Sequence, residues 1–65
     1  MNKSSKHVKN SVTYWVFKSL KFKGHWEGVT YDTVSGYMEK RTFLAKTKRE
    51  AIERVEKYIT DETGV

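Results

Sequence analysis

The sequence predicts an α+β fold: a three-stranded antiparallel sheet packed on one C-terminal helix (βββα), preceded by a flexible basic N-terminal arm. Three observations lead there. From Val12 onward, β-branched and aromatic residues alternate with period two, as they do in a half-buried strand. At Ser35-Gly36 the alternation breaks, and glycine there supplies the positive φ that a tight turn requires. After Thr47 the apolar period changes to that of an amphipathic helix.

Residues 1–10, MNKSSKHVKN, are polar and basic, with Val8 their single β-branched apolar residue. They read as the arm, and residues 11–65 as one domain. In the first strand Val12, Tyr14, Val16, Leu20 and Phe22 share one face, with Lys18 the exception. Trp15, Phe17, Lys21 and Lys23 share the other. Gly24 ends this strand, a second runs from about Trp26 to Thr33, and a third from about Tyr37 to Ala45. Thr47-Lys48-Arg49-Glu50 matches a capping box, with the Thr47 hydroxyl on the third backbone N–H and Glu50 reaching back to the Thr47 amide. Ala51, Ile52, Val55, Tyr58 and Ile59 then form the apolar stripe of the helix, and Glu50 and Arg54 a favourable i,i+4 pair.

One helix covers one sheet face. The nearly uniformly apolar parity of the first strand belongs beneath it, together with Phe43 and Ala45, which lead into the helix. The uncovered face then holds Trp15, Phe17, Lys21, Lys23, Lys40 and Thr42. For the middle strand both parities stay open, Trp26/Gly28/Thr30 or Val29/Tyr31.

Charge and composition bound the function. Six lysines precede the first acidic residue, Glu27, and the rest of the chain carries seven basic and eight acidic side chains. All of the net charge of +5 therefore lies before residue 27, which points to a polyanionic partner. A chain of 65 residues without cysteine has room for one thin core, and for neither a deep cleft nor a thiolate metal site. His7 and His25 lack a second ligand at metal-binding spacing, no phosphate loop occurs, and no serine has a triad partner. The expectation is a non-enzyme without metal, cofactor or small-molecule substrate. No apolar run approaches the ~18 residues of a membrane span, so a cytoplasmic setting is expected.

The segment Ala45-Lys46-Thr47-Lys48-Arg49-Glu50-Ala51 resembles the entry to the final helix in the Arm-type DNA-binding domain at the N-terminus of tyrosine-recombinase integrases. The plant ethylene-response DNA-binding domain shares that architecture. The resemblance implies a three-stranded sheet that enters the major groove of double-stranded DNA and reads bases from its bare face. With no recombinase catalytic domain present, it implies an accessory factor of a phage or mobile element. Lys3, Lys6 and Lys9 on the arm would clamp the phosphate backbone or enter an adjacent minor groove, while Trp15, Lys21, Lys23, Lys40 and Thr42 would face the major groove. The competing expectation is a protein-interaction module that modulates a host protein, in which the same lysines and the Trp15/Phe17 patch meet an acidic protein surface.

Overall fold

The structure, a computed structural model, describes residues 4–34 and 36–64. It contains four strands and one helix: β1 (Ser5–Lys9), β2 (Val12–Lys18), β3 (Trp26–Val34), β4 (Tyr37–Ala45) and α1 (Lys48–Thr63). The strands form a single antiparallel meander in the order β1-β2-β3-β4, and α1 crosses one face. The expected three-stranded sheet with a free arm is therefore wrong by one strand. Ser5–Lys9, assigned to the arm, pairs with β2 from Ser5↔Val16 to Lys9↔Val12.

The reason lies in the turn. Asn10 and Ser11 both have positive φ, 49° and 66°, the conformation of the two-residue hairpin turn whose twist matches that of its strands. Asn10 Nδ2 also donates to Thr63 Oγ1 at 3.1 Å, fastening the turn to the end of α1. His7 stacks on Tyr14 with ring centroids 5.0 Å apart and planes 14° from parallel.

The second correction concerns the length of the next strand. It ends at Lys18, the residue that breaks the apolar alternation, rather than running on to Phe22. The chain then folds into a hydrogen-bonded loop. Ser19 N–H donates to the His25 carbonyl at 2.9 Å, His25 N–H to that of Phe22 at 3.0 Å, and Phe22 N–H to Ser19 Oγ at 3.0 Å. Gly24 turns this loop at φ +81°. Leu20 is consequently 85% exposed, and Phe22 is exposed with it, so neither belongs to the core.

The core lies between sheet and helix. Tyr14, Val16 and Ala45 from the sheet meet Ala51, Val55 and Ile59 from α1, with Val12, Trp26, Phe43, Ile52 and Tyr58 at the margin. The register resolves the open parity of β3: Gly28 faces Val16 and Phe43, and Thr30 faces Tyr14 and Arg41, so Trp26, Gly28 and Thr30 point to the helix. Thr30 is fully buried and satisfies its hydroxyl on the Thr13 carbonyl at 3.0 Å, as a buried polar group must. The Tyr14 hydroxyl donates to Glu56 Oε2 at 2.5 Å. At the other end of the interface, the Tyr58 hydroxyl bonds the Asp32 carboxylate, which also pairs with Arg41 at 3.3 Å.

The helix starts as its capping residues dictate. Thr47 Oγ1 accepts from Glu50 N–H at 3.1 Å. The Glu50 carboxylate reaches back one residue further than expected, to the Lys46 amide at 3.3 Å. Gly64, at φ +71°, closes the helix by donating to the Thr60 carbonyl at 3.0 Å, the left-handed C-terminal cap that glycine favours.

Candidate nucleic-acid interface

The face of the sheet opposite α1 is uncovered. Pairing fixes its rows: Lys6, Trp15, Val29 and Thr42 lie side by side across the four strands, and Tyr31 stands next to Lys40. Phe17 pairs with Glu27, which pairs in turn with Leu44. Trp15 and Tyr31 meet edge to face, with centroids 5.9 Å apart and an interplanar angle of 79°, a favoured aromatic geometry. Val29 is only 4% exposed although it points away from the helix. Ser4, Trp15, Phe17, Tyr31 and Lys40 surround it and line a concavity of about 360 Å³. This side of the sheet thus carries an apolar floor walled by three aromatic rings.

The residues expected to contact DNA divide into four groups. Lys6, Trp15, Lys40 and Thr42 share the uncovered face. Lys21 and Lys23 do not lie on a strand; they project from the β2–β3 loop, which leaves the sheet at its Phe17 end. Lys9 alternates with Lys6 and so takes the helix-side parity, opposite Val12. Lys3 lies outside the described residues. Phe17, Val29 and Tyr31 complete the concavity. Phe17 follows from its parity with Trp15. Val29 and Tyr31 needed the parity of β3, and Gly28 carried that signal, because only a residue without a side chain lets a helix approach a strand so closely.

The carboxylates are divided unequally between the two sides. Asp32 and Glu39 take the helix-side parity of β3 and β4, and Glu50, Glu53, Glu56, Asp61 and Glu62 lie on α1. Glu27 is the single carboxylate of the uncovered face among the described residues. The arginines are equally one-sided. Arg41 is held by Asp32 at 3.3 Å and Glu39 at 2.8 Å, and these partners raise its pKa above the ordinary arginine value, the Asp32 hydrogen bond most of all. Arg54 pairs with Glu50 at 3.3 Å. Lysine is therefore the cation of the uncovered face.

Among the described residues there is no group of three or more histidine and acidic side chains that could hold a metal ion, and no helix is long and apolar enough to cross a membrane. Compared with family models, curated proteins and solved structures, the chain matches none.

Proposed function

We propose that this chain is a small DNA-binding protein that engages its ligand with the uncovered sheet face and the adjoining β2–β3 loop. The observation that carries the reading is the segregation of charge. Seven of the eight carboxylates lie on α1 or on the helix side of the sheet, while Lys6 and Lys40 lie on the aromatic face and Lys21 and Lys23 on the loop that joins its two central strands. A polyanion approaching from that side meets cations and stacking surfaces with one opposing charge, Glu27. The short likeness of Ala45–Ala51 to Arm-type domains supports DNA as the ligand, though not the three-stranded docking in a duplex groove that such domains imply. It keeps the setting expected from the sequence, a non-catalytic accessory factor of a phage or mobile element acting in the cytoplasm.

Binding is measured by fluorescence anisotropy on a labelled 20-nucleotide DNA, single-stranded and duplex, at 50 and 200 mM salt. Four lysines neutralising four phosphates give a log–log salt slope of about −2.8 on single strands and about −3.6 on duplex, hence a loss of about 50- to 150-fold over that range. The charge reversals Lys21→Glu and Lys23→Glu should each lower the slope by about one. Failure of both forms to bind at 50 mM salt would overturn the reading.

One observation favours a second reading. Val8 and Met38, 66% and 71% exposed, and Leu44 share the uncovered face with the aromatics, and exposed apolar groups of this kind also suit an acidic protein surface. Absence of DNA binding would turn the assignment to that partner.

A further inference from the structure

Resting on the nucleic-acid reading above, we infer that the uncovered face is a stacking platform for single-stranded DNA, with Trp15, Phe17 and Tyr31 taking unpaired bases and Lys6 and Lys40 the phosphates on either side.

The fourth strand argues against a duplex ligand. Three inter-strand spacings of ~4.8 Å carry the sheet ~14 Å from β1 to β4. That exceeds the ~12 Å width of a B-DNA major groove before any side chain is added. A three-stranded ribbon can insert there, whereas this sheet meets a duplex as a flat wall and touches only its phosphates.

The chemistry of the face also selects unpaired bases. Bases inside a duplex are stacked on one another and offer only their edges. Edges are read by bidentate donors such as arginine, and Arg41 and Arg54 are engaged on the helix side. The uncovered face offers aromatic rings instead, and these bind the π-faces that only unpaired bases present. The concavity of about 360 Å³ lies at the small end of the ~300–1,000 Å³ typical of ligand pockets, a size suited to planar bases. Its two perpendicular walls, Trp15 and Tyr31, give a base one ring to stack on and one edge to abut.

Positive charge is placed around the rings. Lys6 on β1 stands opposite Trp15, and Lys40 on β4 stands opposite Tyr31. Cations thus flank the aromatic centre on both sides, where the backbone of a strand laid across β2 and β3 would pass. The floor of the concavity, Val29, is apolar and suits the methyl group of thymine, which uracil lacks.

The full chain carrying Trp26→Phe leaves Trp15 as its sole tryptophan reporter. Titrated with the 12-mer (dT)12 at 50 mM salt, Trp15 emission should be quenched, with at least tenfold tighter binding than to a mixed-sequence 12-base-pair duplex and tighter binding than to (rU)12. Tyr31→Ala should weaken (dT)12 binding about 5- to 150-fold, since each stacked base contributes ~1–3 kcal/mol. A far-ultraviolet dichroism spectrum and melting curve confirm that each variant is folded. Lys40→Glu, an exposed substitution, should weaken binding without altering either. Duplex binding as tight as (dT)12, or binding without Trp15 quenching, would refute the platform while leaving DNA binding intact. Preference for (rU)12 would refute the assignment to DNA. Binding to none of the three would sink the underlying reading as well.

Discussion

Gly28 is the position where one added methyl group should cost most. Its backbone φ is not positive, so no conformational strain requires glycine there. The requirement comes from α1: a Cβ at Gly28 would stand 2.3 Å from Val55 Cγ2 and 3.2 Å from the Ala51 carbonyl oxygen. Neither neighbour yields easily. Valine in a helix holds one χ1 rotamer about 90% of the time, and the Ala51 carbonyl is part of the helix backbone. Gly28→Ala must therefore push α1 away from the sheet across Val16, Val55 and Ala51, all of them buried.

Overpacking of this kind costs ~1–3 kcal/mol. The opposing gain from restricting the unfolded chain is ~0.4–1 kcal/mol, so a net loss of about 1.3 kcal/mol is expected. A chain of this length has only about 3–10 kcal/mol in total, and the melting temperature should fall by about 5–10 °C. Val55→Ala removes the clashing methyl group, so Gly28→Ala should cost at least 1 kcal/mol less in that background, as contacting sites couple. Thermal denaturation followed by circular dichroism gives all four corners of the cycle. A melting temperature for Gly28→Ala within 1 °C of the parent, or an equal penalty in both backgrounds, would refute the close-approach argument.

Three other contacts set measurable outcomes. Thr47→Ala removes the acceptor of the Glu50 amide and should cost ~1 kcal/mol, about 4–8 °C in a thermal melt, while Thr47→Asp should retain most of the stability. Burial first, and then the Glu56 carboxylate, hold the Tyr14 phenol above its ordinary value, so the unfolded chain releases that proton first. Its contribution is complete below pH 10 and is lost as pH rises beyond it; melting temperatures from pH 8 to 11 should fall more steeply for the parent than for Tyr14→Phe, and parallel curves would contradict this. Deleting residues 1–9 removes five facing pairs from the sheet; at ~0.2–1 kcal/mol each the loss is about 1–5 kcal/mol, whereas removal of a free arm would leave the melting temperature unchanged.

The parts of the fold legible in the sequence are those whose signal is local. Alternation through Val12, Tyr14 and Val16, the glycine turn before Tyr37 and the Thr47 cap each depend on neighbours within a few residues, and each is present in the structure. β1 was not legible because its helix-side residues, Ser5, His7 and Lys9, are all polar. They are held by pairing with β2 and by the ring of Tyr14, seven residues further along. Asn10 marked the turn, but Ser11 stands where glycine would have completed the usual pair. Leu20 and Phe22 misled in the opposite sense, being apolar at the right parity but beyond Lys18, where the loop hydrogen bonds of Ser19 and His25 take over. For the site, this separated Lys21 and Lys23 from the strand face and left Trp15, Lys40 and Thr42 on it.

The polarity that conceals β1 also directs where a partner can bind. A four-stranded open sheet has two edges, and an unprotected edge recruits other strands. Here β1 carries Lys6 and Lys9, and β4 carries Glu39, Lys40 and Arg41 at its centre. Charges along an edge disfavour pairing with another chain, because the added strand would have to accommodate them in register. Edge association is thus disfavoured on both sides, and α1 occupies one face. What remains accessible is the second face, where Lys6 and Lys40 turn from edge guards into the flanks of an aromatic centre. The fourth strand therefore widens the sheet beyond a duplex groove and, through the same residue Lys6, supplies one of the two cations that a strand laid over Trp15 would need.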